Sequence, residues 1–184
     1  MIHTCNGHHP QNNLKSRRRR QGSPEAGFGD LFAQCYENRF ERTHPGTTKS
    51  RTLFIREVPV QGNGIADLMV LCWRAARKRI PSDLKRLNPT IRVFEFKMSD
   101  WRSGLMQAHR YKYFSHVAVL VLPKSKLKLA ENHLDRFRRL RVGLWGFDPA
   151  TESIHTVYTP RPKEQHSARR RDEALEAALR AIHS

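Results

Sequence analysis

The sequence is poor in acidic and apolar residues. Asp and Glu number 17 against 34 Lys and Arg in 184 residues, a formal net charge of +17. That imbalance is a statement about partners, and it points to a polyanion, nucleic acid first. Hydrophobic residues make up only 38% of the chain, low for a wholly folded domain, which predicts disordered stretches. No apolar run approaches the ~18 residues a membrane span needs. Met1 to Gln11 is polar with no apolar stretch behind it, which predicts no secretory leader. No expected helix pairs a basic face with a broad apolar one, so no membrane partner is expected. The three cysteines, Cys5, Cys35 and Cys72, are odd in number and far apart, without a C-x-x-C pair. This argues against a disulfide framework and for a cytoplasmic location, at the nucleoid in a bacterium. His3, Cys5, His8 and His9 match no structural zinc spacing. There is no internal repeat.

What is present divides by composition. Residues 1–23, with Arg17, Arg18, Arg19 and Arg20, read as a disordered basic arm able to hold phosphates. Ser23 as N-cap, Pro24 at the first helical position and Glu25 in the first turn open a helix. Phe28, Leu31, Phe32, Cys35, Tyr36 and Phe40 give it an amphipathic stripe, and it should stop before His44-Pro45-Gly46. Thr52 to Val60 and Ile65 to Trp73 are expected strands around the turn Gln61-Gly62-Asn63-Gly64. Arg74 to Asn88 is a basic insert carrying Arg77, Lys78 and Arg79, and Ile91 to Met98 a third strand. Ser99 or Asp100 caps a helix from Trp101 to about Phe114. His116 to Leu122 is a continuous apolar run, expected as a central strand buried on both faces. Lys124 to Arg141 reads as one basic helix, and Val142 to Phe147 and Ile154 to Tyr158 as short final strands. Residues 161–184 read as a charged tail with a helix from Asp172 to Ile182. The expected fold class is α/β: a mixed β-sheet flanked by helices over residues 24–160, with the basic arm and charged tail outside it.

Reading the strands by face brings out chemistry. Phe94, Phe96 and Met98 share one face, and Val93, Glu95 and Lys97 the other. Phenylalanines on both flanks imply burial, where a carboxylate and an ammonium are costly unless paired, metal-bound or wetted. Asp67 stands within the apolar run of the second strand, and Glu57 before the turn of the first. Three adjacent strands can thus gather Glu57, Asp67 and Glu95. Clustered carboxylates repel, and a hard divalent cation, which prefers oxygen ligands, relieves the repulsion.

Asp67, then Glu95-Phe96-Lys97, resembles the P-D…(D/E)-x-K pattern of the PD-(D/E)XK nuclease superfamily, with Ala66 where the family often has Pro. Gln107 to Tyr111 on the next helix reads Q-x-x-x-Y, as in some branches of that superfamily. Four residues apart, both side chains lie on one helical face. The resemblance spans roughly Phe28 to Tyr158 and implies a restriction-endonuclease-like fold. It implies a Mg²⁺-dependent (or Mn²⁺-dependent) nuclease, with Asp67, Glu95 and the Phe96 carbonyl on the metal. Lys97 would orient the attacking water or stabilise charge on the phosphorane. Gln107 would position Lys97 or a phosphate oxygen, and Tyr111 would buttress the site. A further acid would come from the first helix, as Glu41 or Glu37, or from the strand, as Glu57, which is preferred. The expected partner is DNA, then RNA, with a second copy of the chain as a further candidate. Two other readings stand beside this one: a catalytically silent nucleic-acid-binding subunit with the same fold, and a basic structural protein of a ribosome-like particle. The last predicts no cluster of Asp67, Glu95 and Lys97.

Overall fold

The computed structural model describes residues 23–43, 50–74 and 83–183. Arg17 to Arg20, Arg77, Lys78, Arg79 and the side chain of Glu41 lie outside the described residues.

Helix α1 (Pro24–Thr43) starts where Ser23 Oγ accepts the Ala26 N–H at 3.1 Å. Its buried side chains Phe28, Phe32, Ala33 and Tyr36 fall on one face. Strands β1 (Ser50–Val60) and β2 (Gly64–Arg74) form a hairpin whose turn uses positive φ at Gly62 (74°) and Gly64 (93°). Then come β3 (Thr90–Phe96), α2 (Trp101–Tyr111), β4 (Val117–Pro123), α3 (Lys124–Glu131), α4 (Leu134–Leu140), β5 (Gly143–Asp148), β6 (Ser153–Tyr158) and α5 (Ala168–His183). The six strands make one sheet in chain order. β3, β4 and β5 run parallel, while the β1–β2, β2–β3 and β5–β6 pairs are antiparallel. The mixed α/β class is as expected, and Val117 to Leu122 of β4 is buried throughout.

The sheet separates two cores. On one face α1 lays Phe28, Phe32 and Tyr36 on Phe94, Phe96, Trp145 and Phe147. On the other, Leu105, Ala108 and Tyr111 of α2, Leu127 and Ala130 of α3, Phe137 of α4 and Leu175 of α5 pack against Met69, Val93, Leu120 and Leu144. Cys35 and Cys72 are free and half-buried. Among the described residues no helix is long and apolar enough to cross a membrane.

Several elements differ from expectation. The single helix over Lys124 to Arg141 is two, broken at Asn132 and His133, where the His133 ring stacks on Trp101 at 5.0 Å. The periodicity carries across the break because Leu127, Ala130 and Phe137 all face the core. Helix α2 ends at Tyr111, with Phe114 in the following turn. The helix expected over Asp172 to Ile182 starts at Ala168, and it buries Ala174, Leu175, Ala177 and Ala178 against the sheet.

Candidate active site

The site lies at the end of β3, where β2 and β3 part. Their last register pair is Leu68 with Phe94. Two residues on, Phe96 would face Ala66, but its N–H donates to Asp67 Oδ2 at 2.8 Å. A kink in the β1–β2 hairpin allows this. The register runs from Ser50–Arg74 to Val60–Gly64 with one gap, Glu57 opposite Asp67. Glu57 has a φ of +51°, a left-handed conformation that breaks the pleat. On either side the inward set changes parity: Leu53 and Ile55 give way to Val58 and Val60, and Met69 and Leu71 to Ala66. Asp67, at the switch, is buried with its carboxylate against the β3 backbone. The N–H and C=O of a strand residue point the same way, so the Phe96 carbonyl faces the Asp67 side.

Glu95 and Lys97 share a face with Val93, as expected, and it is the face under α2. Glu95 is fully buried. Its Oε2 is 2.6 Å from Tyr111 Oη, and its Oε1 is 2.8 Å from Lys97 Nζ. The ammonium thus forms a close ion pair with Oε1. Burial, then the charge of Asp67, pushes the Glu95 carboxyl up to about 7, against the pull of Lys97 and Tyr111. Burial and Glu95 also raise the Tyr111 phenol. Tyr111 Oη meets Ile65 O at 2.7 Å and receives the Gln107 Nε2 donor at 3.0 Å. Ile65 faces Pro59 across the hairpin, which has no N–H to offer. One phenolic proton thus serves two acceptors. A protonated Glu95 donates to Tyr111, which donates to Ile65; an ionised Glu95 takes the phenolic proton itself.

Two expected results follow. Tyr111→Phe strands Glu95 and the Ile65 carbonyl, and should cost about 1–3 kcal/mol in urea unfolding. In the metal-free protein the raised Glu95 value means the folded state holds that proton more tightly than the unfolded chain, whose value is 4.5. Its stabilising contribution is full below 4.5 and is lost as pH rises through about 7. The melting temperature should therefore fall over that window more in wild type than in Glu95→Gln; equal slopes would refute the assignment.

Lys97 joins both faces of the sheet. Besides Glu95 it contacts Glu25 Oε1 at 3.3 Å. Burial works against its charge, but Glu95, Glu25 and Asp67 outweigh burial and the ammonium's pKa is raised. Gly104 of α2 leaves room for its stem: a Cβ there would lie 2.7 Å from Lys97 Cγ and 2.6 Å from Leu120 Cδ1. Gly104→Ala should displace Lys97 and cost roughly 1–3 kcal/mol, read by thermal unfolding.

Of the expected site residues, Asp67, Glu95, Lys97, Gln107 and Tyr111 come together. Gln107 holds Tyr111 rather than Lys97. For the further acid, Glu57 stands opposite Asp67 in the hairpin register. Among the described residues no ion pair joins Glu57 to Lys97, and Glu57 has a left-handed φ at the kink. Glu37 lies twelve residues beyond Glu25 on α1, about 18 Å along the axis. The acid at Lys97 is Glu25, read from sequence only as a first-turn residue. Arg56 was also missed. Its side chain is 7% exposed, paired with Asp30 at 3.1 Å and laid over Phe96 at 5.4 Å. Burial lowers its pKa, while Asp30 and then Asp67 hold its charge. Its alternation with Phe54 was the available signal.

Among the described residues no group of three or more His, Cys, Asp and Glu side chains is placed to hold a metal. The donors here are two carboxylates and a backbone carbonyl, with the buried Glu95 Oε1 held by the Lys97 ammonium at 2.8 Å. That all-oxygen set fits Mg²⁺, which binds through one or two carboxylates and keeps several waters. Compared with models of known protein families and with curated protein sequences, the chain matches none. The cluster of Asp67, Glu95 and Lys97 counts against the reading as a basic structural protein, which predicted none.

Proposed function

We propose that the chain is a metal-dependent nuclease of the PD-(D/E)XK type that hydrolyses phosphodiester bonds of DNA. The observation that carries this reading is the meeting of Asp67, Glu95 and Lys97 where β2 and β3 diverge, with Phe96 N–H bound to Asp67. The order α1-β1-β2-β3-α2-β4 supports a restriction-endonuclease-like fold. Asp67, Glu95 and the Phe96 carbonyl would hold Mg²⁺, which when bound supplies a water of lowered pKa and polarises the scissile phosphate. Lys97, kept charged by Glu95 and Glu25, would orient the attacking water or stabilise charge on the phosphorane. Tyr111 holds the Glu95 carboxyl in place, and Gln107 holds Tyr111. Lys124, Lys126, Lys128, Arg136, Arg138 and Arg139 are exposed on α3 and α4 and offer a sequence-independent hold on phosphates.

The test is a cleavage panel of double-stranded, single-stranded and branched DNA, with RNA, in Mg²⁺ and Mn²⁺. Cutting of DNA that stops with chelator is expected. Binding should weaken steeply with salt, as each neutralised phosphate releases counterion. Binding without cutting under either cation would remove the enzyme reading and leave a silent binding subunit.

A further inference from the structure

A second cluster lies at the opposite end of the strands from Glu95. At the entry to β4, Lys112, Arg141, Arg161 and Lys163 surround a notch with His116, His166 and a single carboxylate, Glu164. Ser115 lines it too. It is 2% exposed, and its Oγ has no hydrogen-bond partner among the described residues. The notch measures about 10 Å³, the room one oxygen atom needs.

The rim is held in place by the backbone. Lys163 N–H donates to His116 O, His166 N–H to Lys112 O and Ser167 N–H to Tyr113 O, at 3.1 to 3.2 Å. These bonds tie the segment before α5 to the turn after α2. His116 is fixed in turn, its Nδ1 accepting Ile91 N–H at 3.0 Å and its own N–H donating to Ile91 O at 2.9 Å. Lys112 Nζ donates to Leu140 O at 2.9 Å and Arg141 Nη2 to Arg161 O at 3.0 Å. These two cations are each anchored through one such donor, whereas an ammonium has three and a guanidinium five. Burial, then Arg141 and Lys163, lowers the Lys112 pKa, the mark of cations crowded together. The carbonyl end of α2 opposes an anion here, but the four cations outweigh it, and the turn amides of residues 112–115 already cap those carbonyls.

We propose that this notch binds a phosphate group, one oxygen seated on Ser115 Oγ and the others held by Lys112, Arg141, Arg161 and Lys163. The ligand is either a phosphate of a nucleic-acid chain or a small phosphorylated molecule. The notch opens at the start of β4, beside Ile91, and the candidate active site at Lys97; six residues of strand put them about 20 Å apart. The inference stands on its own geometry and survives failure of the nuclease reading.

The test is a titration of the ¹⁵N-labelled full chain with inorganic phosphate, followed by amide chemical shifts, with chloride at matched ionic strength as control. Saturable shifts confined to residues 112–116 and 161–166 are expected with phosphate alone. The doubly substituted Arg161→Gln/Lys163→Gln chain, altered only on the exposed rim, should bind phosphate roughly tenfold more weakly. Ser115→Ala, a change too small to disturb the fold, should weaken it in the same direction. An oligonucleotide without terminal phosphates that reproduces the shifts identifies a nucleic-acid chain as the source; a response to inorganic phosphate alone identifies a small phosphorylated ligand. Equal shifts with chloride, or affinity unchanged in both variants, would overturn the proposal.

Discussion

Lys97→Ala should lower Mg²⁺-dependent DNA cleavage by about a thousandfold while leaving DNA binding within a few-fold, because a preorganised charge at the reacting phosphate is lost and the outer cations are untouched. Lys97 Nζ lies 2.8 Å from Glu95 Oε1 and 3.3 Å from Glu25 Oε1. Alanine leaves the fully buried Glu95 beside Asp67 with no ammonium, and Glu95 answers by holding its proton to higher pH. On the proposed nuclease reading, the variant would therefore lose both the charge offered to the phosphate and the ionised carboxylate offered to the metal. Glu95→Gln separates these effects. Its amide oxygen still accepts from Tyr111 and its burial carries no charge, so the fold should persist while cleavage stops. Gel-shift and cleavage assays on both variants decide the matter. A Lys97→Ala protein that cuts at the wild-type rate would remove Lys97 from the chemistry.

The largest loss of stability is expected at Phe32→Ala, about 3–5 kcal/mol in urea unfolding. The Phe32 ring is fully buried and lies 5.3 Å from Phe94, 5.3 Å from Phe96 and 5.5 Å from Phe147. No other element supplies aromatic rings to this side of the sheet from a helix, among the described residues. Removing the ring opens a cavity that neighbouring strands cannot close without breaking the sheet. It also loosens α1 and with it Glu25. Glu25→Gln supplies the control, since it alters the contact with Lys97 and leaves the core intact. A cost below about 1 kcal/mol for Phe32→Ala would mean that α1 is not anchored by this ring.

Most of the candidate site was legible because strand and helix periodicities are local. Alternation alone put Glu95 and Lys97 on one face and Phe94 and Phe96 on the other, and both placements hold. Four-residue spacing alone put Gln107 and Tyr111 together, and they are hydrogen-bonded. At Glu57 alternation stops applying, because it assumes an unbroken pleat. Its left-handed φ ends that regularity opposite Asp67. The helix expected across residues 124–141 is two, because the apolar spacing fits one helix or two; the break falls at Asn132 and His133, whose ring stacks on Trp101.

The amino-acid order by itself determined most of the elements, the apolar faces they must bury, and the two acids and one amine of the candidate site. These follow from backbone periodicity and the cost of burying charge, which act over a few residues. Only the tertiary structure decided that Glu25 rather than Glu57 meets Lys97, that Arg56 is buried beside Asp67, and that Ser115 gathers cations from three separate segments. Those contacts join residues 25 with 97, 30 with 56 and 112 with 163. No local spacing encodes them, because they depend on how helices pack across a sheet whose twist and register emerge only when the whole chain closes on its core.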